Sequence, residues 1–224
     1  MKDKEIRQIL VEYIRHEQKE ARVYHEKYIG SAICDVMVAA ENVGLIGYEI
    51  KSDADNFERL PRQISAYNAY FDYNYIVVGE HHKDYVKKVV PAEWGILVIG
   101  QSSLQLKREV GENKKVKRSN QLSLLWAVEL KNLLIANDMP LYAQKPKAYI
   151  ISQLAERVPD DELRKGIVAE LLSRDYSFFR AADKTDLITD DIFRKDLPLP
   201  LQEMADMISE QGEDFTLRIN TVRV

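Results

Sequence analysis

Three charged residues interrupt a stretch that otherwise reads as buried strand. In "ICDVMVAAENVGLIGYEIKSD", residues 33–53, Asp35 sits among apolar neighbours, and Glu49 and Lys51 follow at a spacing of two. Residues two apart on a strand leave the same face, so a carboxylate and an ammonium are put side by side. If the two apolar runs pair as a hairpin, register can bring the Asp35 carboxylate beside Glu49 on that face. A strand core gains nothing from charges it must desolvate, so either these ends reach solvent or the three groups share a task. Two carboxylates and the Ile50 backbone carbonyl make an oxygen-rich, sulfur-free donor set. Such a set suits Mg²⁺ or Mn²⁺, which keep several waters for substrate phosphates. The corresponding chemistry is hydrolysis: a metal-activated water attacks a phosphodiester while the metal polarises the phosphoryl oxygen. Lys51 then orients or deprotonates that water, or offsets the negative charge developing on the phosphate.

The acid-x-Lys triplet by itself carries no weight. With 36 acids and 18 lysines in 224 residues, chance supplies about three copies, and the chain has four, beginning at Glu17, Glu49, Glu112 and Glu129. Only the copy at Glu49 follows an apolar strand, has an acid on a preceding strand, and precedes a helix carrying Gln63 and Tyr67. The plain alternative is an ion-pair cluster at strand ends, worth less than about 1 kcal/mol.

The elements that must position these residues follow from periodicity. "DKEIRQILVEYIRHEQKE" places Ile6, Ile9, Leu10, Tyr13 and Ile14 on one helical stripe. "ARVYHEKYIG", "AICDVMVAA" and "LIGYEIK" read as two or three adjacent antiparallel strands, with "ENVG" as a turn. Phe57, Leu60, Ile64, Tyr67 and Phe71 recur at helical spacing, with Pro61 early enough to place the regular helix start near Leu60. "YNYIVVGE" is too apolar to be half solvated and reads as a central strand; a short helix in "HHKDYVKKVV" and a strand "WGILVIG" follow. The order helix, strands, helix, strand, helix, strand makes the class α/β. Four segments result: an α/β core over 1–106, a basic linker over 107–118, a helical lobe over 119–180, and an acidic tail over 181–224 ending in the strand-like "FTLRINTVRV". The lobe reads as three amphipathic helices separated at Pro140, Pro146 and Pro159.

Asp35, then Glu49-Ile50-Lys51 after a hairpin, then "RLPRQISAY" and "YIVVG", resembles the PD-(D/E)XK phosphodiesterase superfamily of restriction-endonuclease-like nucleases. "GYEIKSDADNFERLPRQISAY", "VVGEHH", "EWGI", "LLWAVEL" and "LLSRDY" are similar to a small bacterial and phage family within it, over roughly residues 1–180. The resemblance implies a restriction-endonuclease-like αβββαβ core with a mixed sheet, and metal-dependent cleavage of a nucleic-acid backbone, with Asp35 and Glu49 as ligands and Lys51 at the attacking water. It also implies that Gln63 helps position the cluster and that Glu26 matches an upstream acidic position. Cys34 stands where the superfamily motif has proline, a position without a role in metal binding.

Other candidates have plainer explanations beside the sharp ones. Lys114, Lys115, Lys117 and Arg118, in "KREVGENKKVKR", are candidate phosphate contacts or parts of a solvated linker. His81 and His82 follow a strand without a third nitrogen or sulfur ligand, which favours a loop. Tyr67, Tyr70, Tyr73 and Tyr75 could stack bases, although their positions favour core packing.

Composition bounds the remainder. The chain is 46% hydrophobic, enough for one sizeable core, and its formal net charge of −4 offers no global attraction to nucleic acid. Cys34 is the only cysteine, which excludes an intrachain disulfide. The start is charged and helical, and no run approaches a membrane span, so the expectation is a cytoplasmic protein without a membrane partner. The expected activity is Mg²⁺-dependent hydrolysis of DNA, with the helical lobe available to a protein partner. The alternative is a non-catalytic nucleic-acid or protein-binding module that keeps the nuclease fold.

Overall fold

Six strands form one mixed sheet whose spatial order is the order of the chain: β1 (Ala21–Ile29), β2 (Ala32–Ala40), β3 (Gly44–Lys51), β4 (Tyr73–Gly79), β5 (Gly95–Ile99) and β6 (Leu104–Arg108). This computed structural model describes residues 3–18, 20–100 and 104–174. The expected acidic tail and its final strand lie outside the described residues. Strands β1, β2 and β3 pair antiparallel, β3, β4 and β5 pair parallel, and β6 closes the far edge antiparallel. Two parallel connections require crossovers, supplied by α2 (Leu60–Tyr70) and by a 3-10 turn, Glu80–His82, leading into α3 (Lys83–Val89).

Both faces of the sheet are covered, which is why β3 and β5 are buried at every position. On one face, α1 (Asp3–Glu17) packs Ile6, Leu10 and Ile14 against Val36, Val38, Ile46, Ile50, Val77 and Leu97. On the other, α2 and α3 share a single apolar cluster with α4 (Arg118–Ser123), α5 (Ala127–Ala136), α6 (Lys147–Arg157) and α7 (Asp160–Ser173). The C-terminal helices are therefore continuous with the core of the sheet.

Two local expectations differ from the structure. The stretch "SNQLSLLWAVELKNLLIAND" is two helices, α4 and α5, because Trp126 is extended and its N–H donates to the Glu129 side chain at 2.6 Å, capping a new helix start. The segment 107–118, expected as a linker, begins inside β6 and continues as a strap against the core. Gly111 N–H donates to Glu93, Asn113 N–H to Asp72 and Lys117 N–H to Ala69, while the buried Asn113 amide donates to the Asn68 and Phe71 carbonyls, both at 2.7 Å. Such a strap satisfies backbone groups that a solvated linker leaves to water.

The β1–β2 hairpin contains a matched irregularity. The register is constant from Ala21↔Ala40 to Ile29↔Ala32, yet the opposed positions Glu26 and Asp35 drop out of the pairing, and Glu26 is left-handed at φ 49°. Side-chain faces invert across it: Tyr24 and Ile29 pack on the same side of the sheet, as do Cys34 and Met37, although each pair has opposite parity. One residue per strand has been set aside from the pleat, and both are acids.

His25 stands next to this break. Its Nδ1 is buried without a hydrogen-bond partner, and burial, then Arg7 and Arg15, lower its pKa to about 4. The unfolded chain therefore binds a proton that the folded chain refuses between about 6.5 and 4, so this contribution to stability is lost as pH falls through that window. Urea unfolding from pH 7 to 4.5 should show His25→Gln with a shallower pH slope than wild type. The difference should be under about 1.4 kcal/mol per pH unit, since at most one proton is involved. Parallel slopes would refute the assignment.

Candidate functional site

The break in the hairpin is what frees Asp35 to do something other than pair. The β2–β3 ladder ends at Val36↔Tyr48, so the Asp35 backbone must find partners elsewhere. Its N–H donates to the Tyr67 hydroxyl at 3.2 Å, and its carbonyl accepts from Arg7 Nη1 at 2.7 Å. The Tyr67 hydroxyl in turn donates to the Tyr48 carbonyl at 3.2 Å, which ties α2 to both strands. The Asp35 carboxylate is thereby turned along β3, where Oδ2 accepts the Ile50 N–H at 2.7 Å.

Glu49 and Lys51 leave β3 on the α2 side, as their spacing of two demands, while Ile50 between them joins the core beneath α1. Glu49 is fully buried; its Oε1 accepts from Lys51 Nζ at 2.6 Å and from Gln63 Nε2 at 2.5 Å. Glu49 Oε2 is buried with no hydrogen-bond partner, and so is Gln63 Oε1. A buried carboxylate oxygen left alone costs about 1–3 kcal/mol or more. Burial raises the Glu49 pKa against the opposing effect of Lys51. Burial, then the neighbouring Glu49, pushes Asp35 up to about 7, against the opposing pull of the Ile50 N–H, Arg7 and Lys51. Two carboxylates are thus held together with less positive charge than they need.

These groups open on a cavity of about 770 Å³. Asp35, Glu49, Ile50, Lys51, Gln63 and Glu26 all line it. Glu26 is the outlying member: its side chain is half exposed and its carboxylate lies 3.9 Å from Arg7 Nη2. Among the described residues, no group of three or more His, Cys, Asp and Glu side chains is arranged to hold a metal ion; the candidate donors expected from the sequence are the Asp35 and Glu49 carboxylates and the Ile50 carbonyl, from residues that all line this cavity. That set, hard and anionic with one orphan oxygen, fits a small divalent cation that retains waters.

The basic segment sits apart from this cavity. Arg118 donates to Asp72 at 2.5 Å and to Asp160 at 2.9 Å, Lys115 reaches Glu93 at 3.1 Å, and Lys114 is paired with Glu112. Lys117 holds the strap through its backbone and, like the other three, is not among the cavity residues. The cations that line the cavity besides Lys51 are instead Arg59 and Arg62, at the start of α2. Sequence reasoning missed these two, Arg7, and the bridging role of Tyr67. Arg59 and Arg62 were visible in "ERLPRQ" beside Gln63; for Arg7 no local signal existed, because its partner lies 28 residues away.

Residues 1–197 match the family described as bacteriophage P4 protein cII. The chain belongs to that family. The match runs from α1 past the end of α7 and so covers both the sheet and the C-terminal helices that share its core. The expected bacterial or phage origin agrees with it. No curated protein matches the chain. Among solved structures, SPO1766, a protein of unknown function from Silicibacter pomeroyi, is similar over 49% of this chain and 71% of that one, at 18% identity and a TM-score of 0.40. Among the described residues, no helix of this phage-family protein is long and apolar enough to cross a membrane.

Proposed function

We propose that this protein is a metal-dependent nuclease with a PD-(D/E)XK site, hydrolysing phosphodiester bonds of DNA. The observation that carries the reading is Glu49 Oε2, a buried carboxylate oxygen without a partner, beside a second carboxylate and at the wall of an open cavity. Burial of an anion is costly, and a site that keeps one orphaned is poised for a cation. Asp35, Glu49 and the Ile50 carbonyl would hold Mg²⁺ or Mn²⁺, which when bound supplies Lewis-acid polarisation of a phosphoryl oxygen and a more acidic water. Gln63 fixes the Glu49 carboxylate from α2, and the Ile50 N–H fixes that of Asp35. Lys51, held by Glu49, carries the proton-handling or charge-offsetting role at the attacking water. Arg59 and Arg62 supply positive charge at the rim, where a phosphate backbone would enter.

Purified protein should nick or degrade DNA with Mg²⁺ or Mn²⁺, and EDTA should abolish this. Asp35→Asn, which keeps the side-chain shape, should lower the rate by about 10²–10³-fold and remove the rise in melting temperature that Mn²⁺ gives wild type. Metal uptake without cleavage of any single-stranded, double-stranded or branched substrate would identify a binding module on the same fold. The absence of both uptake and cleavage would refute the site.

A further inference from the structure

A second depression adjoins the first. It has a volume of about 500 Å³ and is lined by Asp55, Asn56, Phe57, Glu58, His82 and Tyr85. Asp55 lines both cavities and forms the wall between them. Phe57 is its fixed floor, packed against the main core and met edge-on by His82 at 4.9 Å and by Tyr85 at 5.0 Å. Tyr85 stands 51% exposed, so half of its ring is open to a ligand. His82 Nε2 has no hydrogen-bond partner.

The charges of the two cavities differ in a way that selects what each can take. Lys51, Arg59 and Arg62 line the first among its five carboxylates, whereas Asp55 and Glu58 line the second without any Lys or Arg, so a phosphate finds cationic partners in the first and none in the second. An uncharged planar group with hydrogen-bonding edges is the complementary occupant. In a nucleic acid whose backbone lies at the arginines, the group that reaches sideways is the base, and a base is free to do so only when it is unpaired.

We propose that the Phe57–Tyr85 pocket binds an unpaired nucleobase beside the scissile phosphate, so that the substrate class is single-stranded or frayed nucleic acid. This rests on the nuclease reading for the identity of the polymer, and its test is kept separate from cleavage. Binding is measured with Ca²⁺ in place of Mg²⁺, using a short single-stranded oligonucleotide carrying 2-aminopurine and a duplex of the same sequence. Wild type should bind the single strand more tightly and quench the 2-aminopurine. Tyr85→Ala, a change at an exposed ring, should weaken single-strand binding by about tenfold to a hundredfold, the worth of one stacked base. It should leave duplex binding and the Mn²⁺-induced melting shift unchanged, and Tyr85→Phe should restore affinity. Equal affinity for the two forms, or single-strand binding indifferent to Tyr85→Ala, overturns the proposal. Tyr85-dependent single-strand binding without any cleavage supports the pocket and sinks only the nuclease reading; duplex cleavage that ignores Tyr85 does the reverse.

Discussion

Glu49→Gln alone should destabilise the metal-free protein by about 3–5 kcal/mol, and the Glu49→Gln/Lys51→Met double variant should return to within about 1 kcal/mol of wild type. Both side chains are buried, at 1% and 5% exposure, and joined at 2.6 Å, so removing the carboxylate strands an ammonium. Lys51→Met is milder, about 1–3 kcal/mol, because Glu49, its pKa already raised by burial, can take up a proton. Urea unfolding of the four proteins completes the cycle. Single costs that simply add in the double variant would show that the two charges do not sustain one another. All three variants should lose cleavage, which separates the stability of this pair from its use: a sequence optimised for folding alone would replace both residues with apolar ones.

Arg118→Met should cost about 3 kcal/mol of unfolding free energy, close to the effect of breaking any buried ion pair. Its guanidinium spans 46 residues of chain to reach Asp72, whose side chain is 3% exposed, and turns outward to Asp160. Asp72 in turn accepts from the Leu45 N–H at 2.8 Å and from Gln121 Nε2 at 3.0 Å, so its charge is committed to holding the sheet against α4. DNA affinity per folded molecule should be unchanged. A loss of affinity with less than about 1 kcal/mol of destabilisation would instead return Arg118 to the phosphate contacts.

The parts of this protein that were legible in its sequence are those governed by short-range periodicity. The hairpin, α2 starting at Leu60, and the doubly covered β4 follow from apolar spacing, and the two-residue step from Glu49 to Lys51 fixes a shared face wherever β3 lies. Strand β6, "LQLKR", has too few apolar residues to announce itself and pairs only because β5 offers it an edge. The break at Trp126 depends on a carboxylate three residues ahead, itself held by the buried Arg174. Arg7 and Asn113 act across 28 and 45 residues, a range at which spacing carries no information.

The inversion of faces at Glu26 and Asp35 makes the hairpin a lever with its fulcrum at the candidate metal centre. Below the fulcrum, Val36 and Val38 are gripped by α1; beyond it, Ile29 and Cys34 are gripped beside Leu60 and Tyr67 of α2. The reach of Asp35 is therefore set by two helices on opposite faces of the sheet, and both also hold β3, α1 through Ile46 and Ile50 and α2 through Tyr48 and Glu49, so the spacing of the two carboxylates is fixed from both sides at once.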